Sequence, residues 1–328
     1  MYVFHPILQF IMVILVFFCA SKVHSRNIGL EDAQIAKTIV VDSKGQGAFT
    51  SVQKAIDSIP PNGQTWTLIK IKAGTYKEKV KIPIDKPFIA LQGEGRASTV
   101  IQWGEGGGAT TNGTLTVEPP NFVAADILFK NTYNTDFPKS VHQVQPAPAA
   151  VLYGDKASFY RCGFIGVQDT FTDAIGRHYL NSCYFEGSTD FIWGSGQSIY
   201  EECIINATAG GYITAQGRDT PKFNSGFVFL SSKIVGNGPA YLGRAYRPYS
   251  TVVFKDTVMP RMIQPQGWNI WNQKDEKLIT YAEVNCTGYD KSKRVKWEKE
   301  LSPQELDSFI NVNNFINKDG WLEKQPKF

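Results

Sequence analysis

Five cysteines in 328 residues are too few for a disulfide scaffold. Histidine is scarcer still, at four, and with no CxxC or CxxH spacing and no cluster of ligands the chain offers no metal site. Charge of one sign is also lacking: 34 Lys+Arg against 30 Asp+Glu leave +4, too mild and too evenly spread to indicate a nucleic-acid partner. Helical windows are few, because Gly, Pro or β-branched residues interrupt most of them. What is abundant is apolar (42%) and aromatic (13%) side chains together with 29 glycines, a balance that excludes disorder and points to a β-rich globular chain.

Only one apolar run is long. Ile7–Ala20 is almost wholly apolar, and Val23 and Ser25 are small residues placed for cleavage before Arg26. The pattern predicts a secretory signal peptide over residues 1–25, although the n-region has only His5 and the amino terminus for positive charge. An uncleaved membrane anchor is the alternative. No other segment approaches the ~18 apolar residues of a membrane span. Residues 26–328 are expected outside the cell as a single domain with four cysteines. Asn112, Asn206 and Asn285 head Asn-X-Thr sequons and become candidate glycan sites.

Ser51–Ile59 reads as a short helix, with Val52, Ala55, Ile56 and Ile59 on one face and Pro60-Pro61 ending it. Beyond it, short β-branched or aromatic runs such as Thr67–Ile71, Phe88–Leu91 and Ala125–Phe129 alternate with turn residues. A repeat underlies them. Ser158–Gly166, His178–Gly187 and Ile199–Ile205 resemble one another, and cysteines recur at 162, 183 and 203. A period just above twenty, built from strands, suits one coil of a parallel β-helix better than a sandwich, whose turns would recur every 8–12 residues. The three cysteines then occupy equivalent places in adjacent coils, as a ladder of small buried hydrophobes or, alternatively, with one bridge among them.

Two carboxylates share that period. Asp169 lies in Gly166-Val167-Gln168-Asp169-Thr170-Phe171 and Asp190 in Gly187-Ser188-Thr189-Asp190-Phe191-Ile192-Trp193-Gly194. One coil apart, they would be neighbours on one face, roughly 5 Å from strand to strand. Like charges that close cannot both ionise freely, which is what a paired acid and nucleophile need. Two turn or capping aspartates would give the same spacing. Gln168 could donate to an oxyanion, or simply bond a turn. Arg244, between Gly243 and Ala245-Tyr246, could fork onto a carboxylate, as could any of many solvated arginines.

Taken in order, Gly74-Thr75-Tyr76-Lys77-Glu78, Gln168-Asp169-Thr170, Asp190-Phe191-Ile192-Trp193-Gly194, Ile213-Thr214-Ala215-Gln216-Gly217-Arg218 and Leu242-Gly243-Arg244 resemble the plant pectin methylesterase (pectinesterase) family from Val40 to about Lys318. The resemblance implies an all-β fold, a right-handed parallel β-helix. It implies hydrolysis of the C6 methyl esters of galacturonate in cell-wall pectin, with release of methanol and no cofactor or metal. Asp190 would be the nucleophile and Asp169 the acid, then the base. Gln168 would stabilise the oxyanion, and Arg244 would orient Asp190 and keep it ionised. Gln145, Phe171, Trp193 and Tyr246 would contact substrate, Tyr246 standing where the family has Trp. Methyl-esterified homogalacturonan is the implied partner, a proteinaceous inhibitor a further one, and the implied form is a secreted monomer of the wall. The inhibitor-like pro-region of many plant members is expected to be absent. The small positive balance suits an acidic polymer.

The chain departs from the family pattern in three ways. The second oxyanion glutamine of the family would fall at Pro146, which has no donor, so Gln145 could serve only if the register slipped by one residue. Losing one such donor can cost about 10²–10³ in rate. Arg244-Ala245-Tyr246 replaces Arg-Pro-Trp, and Phe171 and Trp193 vary the flanks of the aspartates. Two rival readings follow: a pectin-binding homologue of weak or no activity, and a galacturonan hydrolase or lyase on the same solenoid. The latter lacks the carboxylate cluster that a calcium-dependent lyase would want.

Overall fold

Every strand-to-strand ladder is parallel, which removes the sandwich from consideration. The computed structural model describes residues 35–135 and 143–328. The signal-peptide segment lies outside them. Ten strands stack into one sheet, from Ile35–Val41 through Trp66–Ile71 to Thr280–Val284. Thirteen more form a sheet folded around a corner, because Tyr184–Gly194 and Ile204–Gln216 run through the bend and join two of its faces. The result is a right-handed parallel β-helix, the handedness expected of parallel crossovers.

The period is maintained by a repeated corner. Asp126, Arg161, Ser182, Glu202, Ser231, Asp256 and Asn285 all have φ between 47° and 61°, and each precedes the small or apolar residue that enters the core. Such left-handed residues are costly singly, so each is held by the coils above and below. One of these corners corrects the sequence reading: Ala125–Phe129 is not one strand but two, Phe122–Ala125 and Leu128–Asn131, broken at Asp126.

Inside, aromatic side chains stack coil upon coil. Phe164 lies 5.7 Å from Phe129 and 5.1 Å from Phe185, and Phe229 lies 4.6 Å from Tyr200 and 4.4 Å from Phe254. Each such ring contributes roughly 1.5–3 kcal/mol by burial. Cys162, Cys183 and Cys203 form the expected buried ladder as free thiols.

Helix Val52–Asp57 forms as expected, capped by Ser51, which accepts from Lys54 N–H. Two helices were not anticipated, Pro303–Ile310 and Val312–Phe315. Ser302 and Glu305 make a capping box there with Pro303 in the first turn. The segment that follows lays Phe315, Ile316 and Trp321 over the outward apolar side chains Ile199, Val228 and Val253 of the ten-stranded sheet. The ten-stranded sheet is thereby covered there, while the strands described next belong to the thirteen-stranded sheet.

Candidate active site

The face of the site is set by register. Thr172, Trp193, Ala215, Arg244 and Asn269 are directly paired across successive strands, so their side chains form one outward row. Their neighbours point the other way, as alternation requires. Phe171 is one of these, and it corrects the sequence expectation. Its ring is fully buried, 4.6 Å from Phe164 and 5.2 Å from Phe185, so it supports the site from the core and cannot contact substrate.

Three residues before Thr172 and Trp193 the chain bends in the same way on two adjacent coils. Gln168 bridges Thr189, and Asp169 N–H donates to Thr189 O at 3.0 Å. Asp169 (φ 56°) and Asp190 (φ 50°) are therefore stacked in equivalent left-handed positions. Asp tolerates this conformation better than most residues, and such backbone strain often accompanies function. Both carboxylates are buried, at 8% and 4% exposure.

Their surroundings differ sharply. Asp190 is gripped by Arg244: Nε donates to Oδ1 at 2.7 Å and Nη2 to Oδ2. Both oxygens accept, which is the role of a carboxylate anion. Among the described residues, Asp169 has no such partner. Burial first, and the Asp190 charge second, push its carboxyl up to about 7, against a smaller opposing pull from Arg244. The two aspartates are thus separated by their environments into a proton carrier and an anion.

Arg244 is itself positioned. Its guanidinium lies 3.9 Å from the Trp271 ring centroid and 5.3 Å from that of Tyr212. Its Nη1 is buried with no hydrogen-bond partner among the described residues. Asn269 Nδ2 donates to Tyr212 OH at 3.4 Å. Trp193 is fixed by its indole N–H, 2.9 Å from Thr172 Oγ1, and packs edge-on to the exposed Tyr246. Trp271, Tyr212 and Thr172 were missed in the sequence. Only the strand register brings them beside Arg244 and Trp193.

Gln168 is half-buried, and its side-chain amide makes no hydrogen bond among the described residues. The expected partner segment does not slip: Ala147 N–H donates to Gln168 O at 3.1 Å, in phase with Ala150 opposite Phe171. Pro146 therefore keeps its place. The Gln145 main chain is pinned by Asn134, and its side chain lies against Gly107, where an added Cβ would come within 3.2 Å of Oε1.

Comparison with known proteins agrees over nearly the whole chain. The family model described as Pectinesterase matches residues 38–319. Probable pectinesterase 55 of Arabidopsis thaliana is 43% identical over 300 residues, covering 88% of this chain and 91% of that one. Probable pectinesterase 29 of the same plant is 41% identical over 302 residues, covering 88% and 89%. The solved structure of pectin methylesterase from carrot superposes with a TM-score of 0.82 at 29% identity, covering 91% of this chain and 99% of that one. Pectin methylesterase from Aspergillus niger, at 23% identity and a TM-score of 0.78, shares the fold. With the fold, the stacked aspartates and the sequence matches in agreement, this chain belongs to the pectinesterase family, and its reaction is the demethylesterification of pectin.

Proposed function

We propose that the reaction runs through a covalent intermediate on Asp190. One Asp190 oxygen attacks the C6 carbonyl of a methyl-esterified galacturonate, and the carbonyl electrons move onto oxygen. The Gln168 amide donates to that oxyanion. As the tetrahedral intermediate collapses, Asp169 gives its proton to the departing methoxide, which leaves as methanol, and a mixed anhydride joins Asp190 to C6. Asp169, now the base, takes a proton from water, whose oxygen adds to C6 and frees the acid and Asp190. Arg244 aims Asp190 throughout, and Trp193 and Tyr246 form the platform for the sugar.

The observation that carries this reading is the divided pair: Asp169 raised to about 7 beside an Asp190 clasped by Arg244. An enzyme at neutral pH then holds its acid and its nucleophile at once. Methanol release from highly esterified pectin tests it. Purified wild type should release methanol without shortening the polymer, and Asp190→Ala should release none. Undiminished release by that variant would refute the assignment.

A second reading rests on position 146. With Pro146 in register and Gln145 turned to Gly107, the oxyanion receives one side-chain donor, which favours a slow esterase over a fast one. Secretion to the cell wall, the monomeric state and recognition by an inhibitor protein belong to the same proposal. They rest on the signal-like residues 1–25 and on the family resemblance.

A further inference from the structure

The row that carries Arg244 and Trp193 extends beyond the two coils that hold the aspartates. It continues through Thr172, Val151 and Thr116 to Lys81. Four strand steps separate Trp193 from Lys81, roughly 19 Å at ~4.8 Å per step. A glycine-rich segment, residues 104–113, lies over the middle of this row, with Ala109 O accepting from Thr172 Oγ1 at 2.7 Å and Thr110 O from Tyr153 OH at 3.0 Å. Beyond it is a cavity of about 910 Å³, lined among others by Lys81, Ile84, Thr116, Glu118 and Tyr153.

Its chemistry is that of a neutral sugar site. Lys81 Nζ is 2.6 Å from Glu118 Oε1, and the other lysine of the cavity, Lys79, is 2.8 Å from Glu105. Each cation is matched by a carboxylate, so nothing is left over to attract an anion. A Lys–Glu pair instead presents a donor beside an acceptor, the complement of two adjacent sugar hydroxyls. Ile84, 65% exposed, and the edge of Tyr153 add apolar surface that suits a methyl ester and not a free carboxylate.

We propose that this cavity is a remote subsite for a methyl-esterified galacturonosyl residue of the same chain whose reacting ester sits at Asp190. The proposal rests on the catalytic assignment above. It makes the enzyme prefer long, still-esterified tracts over short or already demethylated ones.

Fully methyl-esterified oligogalacturonates of increasing length test it. Wild-type kcat/KM should rise roughly tenfold, the equivalent of one or two good hydrogen bonds, between a trimer and an octamer. The Lys81→Ala/Glu118→Ala double variant, which removes both charges together, and Ile84→Ser should lose that rise and keep wild-type kcat/KM on the trimer. Binding of the esterified octamer to the Asp190→Ala chain reads the subsite without turnover, and should weaken about tenfold when the double variant is added. If the catalytic assignment fails, this binding result still stands or falls alone. Unaltered length dependence and binding, an equal loss on the trimer, or stronger binding of the de-esterified than of the esterified octamer would each overturn the proposal.

Discussion

Removal of Arg244 perturbs the site at its most exposed dependency. The Asp190–Arg244 pair is buried, with side-chain exposures of 6% and 12%, so solvent cannot replace the guanidinium. Truncating one partner of such a pair typically costs ~3–5 kcal/mol, because the other charge is left buried alone. In Arg244→Gln that cost falls on the charged and aimed form of Asp190, the form the reaction needs. At ~1.4 kcal/mol per tenfold, even the lower figure gives a loss of roughly 10² in kcat/KM at pH 6. Arg244→Lys keeps the charge but loses the fork and the broad stack on Trp271, 3.9 Å away, and should fall between the two. The assay is methanol release across pH 4 to 9, with urea unfolding alongside to separate folding from chemistry. An Arg244→Gln variant that folds as well as wild type and loses less than about tenfold in kcat/KM would refute the reasoning.

Further outcomes follow from individual groups. Asp169 is raised from 3.8 to about 7, so its stability contribution is complete below the unfolded value and is lost as pH rises through about 7. Asp169→Asn should therefore abolish methanol release yet resist urea better than wild type at pH 8, by up to roughly 4 kcal/mol; a less stable variant would contradict this. His178 is buried with Nδ1 2.6 Å from Asp173 Oδ1 and Nε2 3.0 Å from Gly154 O, two acceptors that require a doubly protonated ring. Burial opposes that charge, but Asp173 outweighs it and raises the ring above its ordinary value. The pair's stabilisation is then full below about 6.5 and fades as pH climbs through the raised value. Thermal melts of His178→Gln should show a flatter alkaline decline than wild type. Pro146→Gln restores a side-chain donor beside Gln168, and kcat should rise by as much as about 10²; an unchanged kcat would mean that the amide does not reach the oxyanion.

Much of this was legible in the residues. The cysteine period set the coil, since inward side chains of equivalent corners must stack to be buried at all. The same period brought Asp169 and Asp190 together, and the fold holds them in matching left-handed bends. What was not legible depended on facing. Phe171 sits two residues from Asp169 and reads as a flank of the site, but strand alternation turns it inward. Trp271 follows the two-residue strand Trp268–Asn269, too short to show a period in the sequence. Only the pairing of Asn269 with Arg244 carries Trp271 to the guanidinium. The C-terminal helices did carry a signal, Ser302-Pro303-Gln304-Glu305, which a chain otherwise built of strands made easy to pass over.

The central claim is that Asp190 forms the covalent bond. Wild-type enzyme mixed with a short methyl-esterified oligogalacturonate and quenched in acid within a single turnover can be weighed intact and then mapped by peptide. An adduct equal to substrate minus methanol, on the peptide that contains Asp190 and missing from Asp190→Ala, is the predicted result. Methanol release that persists in Asp190→Ala, or an adduct on another residue, would contradict it.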